Sequence, residues 1–145
     1  MRALTICQPY AELIARGIKR VENRTWEMLY RGPLLIHAGK SRKFLSGDNY
    51  GIPLEEMAWG AVVAAVDVVA CKHISQIEAE RRKTHATRRG DDFPSHLEFL
   101  LRHEHVEGPF CIVFGNIRRL ASPIPFKGAQ GIFNVPDALV QEILS

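Results

Sequence analysis

The sequence lacks an apolar run long enough to cross a lipid bilayer. Its longest such run, "MAWGAVVAAV" at 57–66, stops at Asp67 and is much shorter than the ~20 residues that a membrane-spanning helix needs. The first residues, "MRALTICQPY", also lack the apolar stretch and cleavage site of a secretory signal. We therefore expect neither membrane insertion nor export.

Cysteine is scarce. The three cysteines, Cys7, Cys71 and Cys111, are odd in number, far apart and each surrounded by apolar residues. Such usage excludes a disulfide framework and favours buried free thiols, which suit a reducing compartment. We expect a cytoplasmic protein.

Strong charge of either sign is also absent. The 19 Lys and Arg residues against 16 Asp and Glu give a net charge of +3, which permits nucleic acid as a partner without requiring it. No internal repeat or low-complexity tract interrupts the 145 residues. Their length fits one domain, residues 1–145.

Two chemical motifs are incomplete. "GPLLIHAGKS" ends like a phosphate-binding loop, but six residues separate Gly32 from Gly39 where that motif needs four. His103 and His105 of "RHEHVEG" are splayed apart if the preceding segment is helical, which favours a solvated helix end over a metal site. We expect no metal and no cofactor.

The order of predicted elements indicates an α+β fold. A strand "RALTIC" leads into a helix between Pro9 and Gly17, then an extended "IKRVENR" and a buried strand "PLLIHAG". A long strand follows from Trp59 to Cys71, with Gly60 and Asp67 as candidate bend points. A charged helical excursion is predicted over about 75–106. The chain then returns to "GPFCIVFGNIRRL" as a strand, short Pro-punctuated strands, and a final helix opened by Pro136. This pattern predicts a small, mostly antiparallel barrel with flanking helices.

The stretch "GIKRVENRTW" at 17–26 carries the densest polar pattern. In an extended segment, residues two apart share a face, so Glu22 and Arg24 become neighbours. Such a pair serves as a structural ion pair, or Arg24 orients Glu22 to accept hydrogen bonds from a ligand. Trp26 offers either a stacking surface for a base or a core contact. His37, within "LLIHAG", is predicted to be a buried, hydrogen-bonded histidine rather than a catalytic base.

The segment "LTICQPYAELIARGIKRVENRTW" resembles the opening of an ASCH domain, the activating signal cointegrator homology family of the PUA-like superfamily. Its hallmark Gly-x-Lys-x-x-Glu-x-Arg is matched by Gly17, Lys19, Glu22 and Arg24. The similarity continues in "RGPLLIHAGK", "WGAVVAAVDVVAC" and "GPFCIVFGNIRRLASPIPFKGAQGIFNV". It covers nearly the whole chain apart from the helical excursion and the last helix.

The resemblance implies a PUA-like β-barrel with an adjacent polar cleft that binds RNA, single-stranded nucleic acid or a modified nucleotide. Carried over by position, the cleft residues are Gln8, Pro9, Lys19, Glu22, Arg24, Trp26, Lys127 and Gly128.

An enzyme is the alternative. Some ASCH-like proteins resemble hydrolases of acylated cytidine, in which a Lys acts with a Thr three residues later, and others are linked to ribonuclease activity. This sequence keeps Lys19 but has Glu22 at the Thr position. In a hydrolase or ribonuclease, the catalytic set would be Lys19, Glu22 and Asp67. Asp67 lies in an apolar run, which favours either a hydrogen-bonded structural carboxylate or a general base with a raised pKa.

The basic run "ERRKTHATRR" within the helical excursion allows two further interpretations. It is either a solvated helix face or a phosphate-contacting patch. The charged excursion also makes a protein-interaction adaptor the third hypothesis, with a protein partner bound through this insertion.

Overall fold

The computed structural model describes residues 1–86 and 105–144, and for 83–86 the backbone alone. In this part of the chain, six strands form one sheet in the order β2-β5-β4-β3-β1-β6. The strands are β1 (Arg2–Ile6), β2 (Val21–Arg24), β3 (Gly32–Ala38), β4 (Ala61–His73), β5 (Phe110–Pro125) and β6 (Ile132–Asn134). The helices are α1 (Tyr10–Ala15), α2 (Ile74–Ala86) and α3 (Gln141–Leu144).

The sheet is mixed. β1 runs parallel to β3, which places Thr5 opposite His37. β1 is antiparallel to β6, and β2 is antiparallel to β5 with Glu22 opposite Ile112. The α+β class is therefore confirmed, and the parallel pair at β1 and β3 is a departure from a purely antiparallel arrangement.

The predicted elements are present with shifted ends. The long Val-rich strand is β4, and its nearly continuous burial fits a strand with neighbours on both sides. The helical excursion begins as predicted with α2, while its remainder, 87–104, lies outside the described residues. Of the short strands predicted after 121, the first part is instead the continuation of β5 to Pro125, whereas β6 is a separate short strand as predicted. Pro136 precedes a 3-10 turn (Asp137–Leu139), and α3 follows it.

The contacts divide the chain into two compact units. The first comprises the described residues of Met1–Lys19, Pro33–Asp67 and Asn116–Ser145, and the second those of Arg20–Gly32 and Val68–Gly115. Each unit has its own buried apolar cluster. The first unit contains a cluster formed by Ala3, Leu35, Val62, Ala65, Leu120, Val135 and Val140. The second contains Val21, Ala70, Ile77, Cys111 and Val113.

A buried carboxylate ties α1 to β5 in the first unit. Glu12 is almost fully buried, and its Oε1 accepts hydrogen bonds from Arg16 Nε at 2.9 Å and from Arg119 Nη1 at 2.7 Å. Arg16 also reaches the exposed Glu56 at 3.3 Å. Two guanidinium groups therefore compensate the charge of this buried carboxylate.

All three cysteines are free thiols, as predicted; Cys71 and Cys111 are also buried as predicted, whereas Cys7 is only partly buried. Burial raises the pKa of both buried thiols above the ordinary value. Among the described residues, no helix is long and apolar enough to cross a membrane.

Candidate nucleic-acid interface

Gln8 and Pro9 lie at the start of α1. The sequence predicts Pro9 at the first helical position, whereas in the structure it is the residue immediately before α1. The Gln8 amide is fully buried; its Nε2 donates to Ala58 O at 2.8 Å and its Oε1 accepts from Glu12 N at 2.9 Å. Gln8 therefore fixes the first turn of α1 from inside the first unit.

Gly17 ends α1 and sets the direction of Lys19. Gly17 has φ +76, and its N–H donates to Ile14 O while the N–H of Ile18 donates to Leu13 O. This pair of bonds is a Schellman cap, which glycine forms without the penalty of a Cβ. The N–H of Lys19 also donates to Leu13 O, at 3.1 Å, so the chain folds back over the helix end.

The turn places the Lys19 ammonium against an aromatic ring. Lys19 is 3% exposed, and its Nζ lies 5.2 Å from the centroid of the Tyr10 ring. A cation at this distance is attracted by the ring quadrupole. The lysine of the family motif is thus a buried neighbour of Tyr10 within the first unit.

Tyr10 belongs to a group of three rings, the aromatic patch, made of Tyr10, Phe44 and Tyr50. Tyr10 meets Phe44 at 5.6 Å and Tyr50 at 6.2 Å between centroids, both edge to face. Phe44 is 47% exposed and Tyr50 is 55% exposed. Lys43 Nζ lies 4.9 Å from the Phe44 ring. The patch therefore presents two open ring surfaces beside an exposed cation.

The loop that carries Tyr50 holds it in a costly backbone conformation. Tyr50 has φ +56 and ψ +29, the left-handed region that bulky residues avoid. Ser46 N donates to Asn49 Oδ1 at 2.6 Å, and Asn49 N donates to Ser46 Oγ at 3.2 Å, which fixes the loop before it. A strained residue with a largely exposed ring gains little from packing, and such strain concentrates at binding sites.

Glu22 and Arg24 form the predicted pair on β2, in the second unit. Arg24 Nε and Nη2 lie 3.1 and 2.9 Å from Glu22 Oε2. On the other face, Asn23 Nδ2 donates to His105 O at 2.8 Å and Asn23 Oδ1 accepts from Gly108 N at 2.9 Å. The alternation predicted from the sequence is confirmed, and the ion pair is well formed and largely shielded from water.

Trp26 and Asp67 occupy less specific positions. Trp26, in the second unit, is half-buried in the segment that follows β2. Asp67, in the first unit, accepts a hydrogen bond from Asn116 Nδ2 at 3.1 Å and lies 4.0 Å from Arg118 Nη2. Asp67 is thus a hydrogen-bonded carboxylate, the first of its two predicted roles. Among the described residues, no cluster of three His, Cys, Asp or Glu side chains could hold a metal ion.

Lys127 and Gly128 line a cavity of about 710 Å³ in the first unit. Its wall comes from the ends of β1 and β3, the turn before β4 and the segment after β5. The lining residues are Thr5, His37, Gly39, Lys40, Gly60, Pro125, Phe126, Lys127, Gly128, Ala129 and Gln130. Its volume lies within the range of small-molecule sites.

His37 anchors the segment that closes this cavity. It is 2% exposed, with Nε2 2.6 Å from Phe126 O and Nδ1 3.1 Å from Thr5 Oγ1. A carbonyl only accepts, so Nε2 donates, and in the neutral ring Nδ1 accepts from the Thr5 hydroxyl. His37 is therefore the hydrogen-bonded buried histidine predicted from the sequence. A Cβ at Gly128 would lie 2.7 Å from Thr5 Oγ1 and from His37 Cε1, so only glycine fits there.

The sequence interpretation missed the aromatic patch and, apart from Lys127 and Gly128, the wall of the cavity. The signal for the patch was present in "GKSRKF", where three cations precede an aromatic residue. No local signal joins Thr5, His37 and Phe126, because their contact depends on the pairing of β1 with β3 and on the path of the chain after β5.

Comparison with known proteins agrees with the observed architecture. The sequence profile of the ASCH domain matches residues 4–114. The chain is 24% identical to human (Homo sapiens) and 31% identical to mouse (Mus musculus) activating signal cointegrator 1, and both alignments cover 95% of this chain. The chain spans only 23% of the length of either relative.

Solved structures show the same fold. The ASCH protein from Zymomonas mobilis superimposes with a TM-score of 0.53 at 14% identity, covering 99% of this chain and 92% of that one. A mutant form of that Zymomonas mobilis protein gives a TM-score of 0.54, covering 99% of this chain and 95% of the mutant chain. The profile match extends over most of the sequence and the architecture is shared, so this chain belongs to the ASCH domain family and has its PUA-like α+β fold.

Proposed function

We propose that this ASCH domain binds single-stranded RNA or another single-stranded nucleic acid. The observation that carries the proposal is the aromatic patch, in which the exposed rings of Phe44 and Tyr50 adjoin Tyr10 and the ammonium group of the exposed Lys43 lies over the Phe44 ring. Bases stack on aromatic side chains, while neighbouring cations attract the phosphate backbone. Membership of a PUA-like family adds support, since that fold suggests RNA binding.

The patch favours single strands over duplexes. In a duplex the base faces are stacked on one another and are inaccessible to a side-chain ring. Phe44 and Tyr50 offer ring surfaces, and Lys43 and Arg42 offer charge in the same loop. This combination recognises unpaired bases with little dependence on sequence.

The motif residues contribute in different ways under this proposal. The buried Lys19 packs its ammonium against the Tyr10 ring, and Gln8 and Pro9 fix the start of α1, which carries Tyr10. In the second unit, Arg24 contacts a phosphate while Glu22 holds its guanidinium plane. Trp26, half-buried on the same unit, gives a further stacking surface.

Lys127 and Gly128 provide a second contact at the cavity in the first unit. The charged helical insertion remains the proposed site for a protein partner, and the free thiols fit a protein that works in the reducing cytoplasm.

The test is fluorescence anisotropy with a labelled single-stranded RNA of about twelve nucleotides, a length within the range that small single-strand-binding domains cover. We compare the wild type with Phe44→Ala and Arg24→Ala at low and physiological salt. We expect salt-sensitive binding that Phe44→Ala weakens more than Leu139→Ala, a change at a similarly exposed apolar residue in the first unit outside the patch. Binding that is equally strong for a duplex, or unchanged in Phe44→Ala, contradicts the proposal. A shortened probe after incubation indicates a ribonuclease.

A second candidate function is hydrolysis of an acylated nucleoside, and one observation favours it. The Thr5 hydroxyl is held by an imidazole nitrogen at the wall of the cavity, which is the arrangement of an activated nucleophile. Thr5 Oγ would attack the acyl carbon while its proton moves to His37 Nδ1. That proton would then pass to the leaving amine, and water would release the acyl group from Thr5.

This candidate differs from the set of Lys19, Glu22 and Asp67 inferred from the family. Asp67 is engaged with Asn116 and Arg118, whereas Thr5 and His37 line the cavity itself. The measurement is release of cytidine from an N-acylated cytidine by the wild type, Thr5→Val and Lys19→Met. Turnover lost in Thr5→Val and kept in Lys19→Met supports the cavity. The reverse supports the family set, and no turnover in the wild type excludes both.

A further inference from the structure

Among the described residues, the charged side chains that line the cavity are cationic. Lys40 enters the wall at the end of β3, and Lys127 enters from the segment after β5. Of the residues that the structure describes, no Asp or Glu lines the cavity. A concave site with charge of one sign concentrates ligands of the opposite sign, so the cavity attracts anions and disfavours amines.

Within the described part of the chain, no neighbour neutralises the charge of either lysine. Within 1–86 and 105–144, Lys40 and Lys127 make no ion pair and no side-chain hydrogen bond. This distinguishes them from Arg16 and Arg119 of the first unit, which are both held by Glu12. The stem of Lys40 also lies along the backbone of Gly60, where an added Cβ would come within 2.6 Å of Lys40 Cε. The packing of its stem thus positions the Lys40 ammonium at the cavity wall without neutralising its charge.

The segment after β5 adds backbone donors to the same wall. The N–H groups of Lys127, Gly128, Ala129 and Gln130 make no hydrogen bond to any other described group of the chain. Phe126, directly before them, is fixed at both ends: its N–H donates to Gly60 O at 3.1 Å and its carbonyl accepts from His37. Consecutive free amides on an anchored segment are a common way to bind the oxygens of a phosphate.

The charge and the volume of the cavity indicate which kind of anion it binds. Two ammonium groups match the two negative charges of a phosphate monoester better than the single charge of an internal phosphodiester. The volume of about 710 Å³ exceeds what a phosphate group fills, and Pro125, Phe126 and Ala129 give one side an apolar surface. The site therefore has room for an organic group attached to the phosphate.

We propose that this cavity binds a terminal phosphate monoester, either of a free nucleotide or at one end of a nucleic-acid strand. The strand form rests on the nucleic-acid binding proposed above, whereas the free-nucleotide form does not. The phosphate lies between Lys40 and Lys127 and accepts from the amides of 128–130. Lys43, at the aromatic patch, has no part in this recognition.

The experiment compares unlabelled single-stranded RNAs of one sequence that differ only at their ends: hydroxyl at both, phosphate at the 5′ end, or phosphate at the 3′ end. Each competes with a labelled 5′-hydroxyl probe for the full chain. We expect one phosphorylated strand to compete about tenfold better than the hydroxyl strand. The preference for the phosphorylated strand disappears in Lys40→Met and in Lys127→Met. Lys43→Met weakens the binding of all three strands to the same extent and leaves the preference unchanged. Equal competition by all three strands with the wild type overturns recognition of a strand end.

A parallel NMR titration uses cytidine monophosphate and cytidine. Shifts of the Gly128, Ala129 and Gln130 amide signals with the monophosphate alone support the cavity site, and their absence refutes it. If the probe does not bind but the monophosphate still shifts these signals, the RNA proposal fails and the cavity is a site for free nucleotides.

Discussion

Replacement of Tyr50 by glycine separates the stability of the aromatic patch from its function. The left-handed conformation of Tyr50 costs about 1–2 kcal/mol for a residue with a side chain, and glycine removes that cost. Against this, glycine loses about 0.5–1 kcal/mol in chain entropy on folding, and the edge-to-face contact with Tyr10 is worth about 0.5–1.5 kcal/mol. These contributions nearly cancel, so we predict a free energy of unfolding within about 1 kcal/mol of the wild type.

Binding should respond very differently. One base stacked on an aromatic ring is worth about 1–3 kcal/mol, so loss of the Tyr50 ring should weaken single-stranded RNA binding about 5- to 150-fold. Urea unfolding gives the first quantity and anisotropy the second. Tyr50→Phe, which keeps the ring, is the matched control and should bind nearly as well as the wild type. A Tyr50→Gly variant that unfolds normally and binds RNA as tightly as the wild type refutes the reasoning.

Three further predictions concern the framework. Glu12→Gln removes the charge that holds two arginines and should lower the free energy of unfolding by about 2 kcal/mol, whereas Glu56→Gln, at the exposed end of the same network, should cost about 0.5 kcal/mol; urea titration compares them. Gly108→Ala adds strain at φ +73 and brings a Cβ within 2.6 Å of Ile74 Cβ, so it should lower the free energy of unfolding by about 3 kcal/mol. Gly17→Ala, at φ +76 but with open space around the new Cβ, should lower it by about 1 kcal/mol, and thermal melts can distinguish the two. Burial raises the pKa of the Cys71 thiol in the folded state. The stability contributed by keeping this thiol neutral is therefore fully present below the unfolded-state pKa of about 8.5 and is lost as pH rises through the folded-state pKa. The free energy of unfolding, measured across alkaline pH, should decline, and it should decline less steeply in Cys71→Ala.

Features with a local cause were predictable from the sequence. Alternation of side chains along an extended segment placed Glu22 beside Arg24, and the structure contains that ion pair. Gly17 marked the end of α1, because its left-handed conformation is the usual helix stop. The Val-rich composition after Gly60 indicated β4, since β-branched side chains pack well in a buried strand.

Features that depend on distant contacts were not predictable. Pro123 and Pro125 suggested separate short strands, yet β5 continues to Pro125, since a proline without a ladder hydrogen bond is tolerated near the end of a strand. The strained backbone of Tyr50 has no signature in "GDNYG", which indicates only a turn. The cavity arises where β1, β3 and the end of β5 meet, and sequence spacing alone does not determine that meeting.

The most direct test is a titration of the ¹⁵N-labelled chain with single-stranded RNA, followed by ¹H–¹⁵N correlation spectra. We predict that the largest shifts fall on the amides of Tyr10, Lys43, Phe44 and Tyr50, and that the same RNA in a duplex leaves them unchanged. Shifts that spare these residues and concentrate on the exposed face of α2, or an absence of shifts at saturating RNA, contradict binding through the aromatic patch.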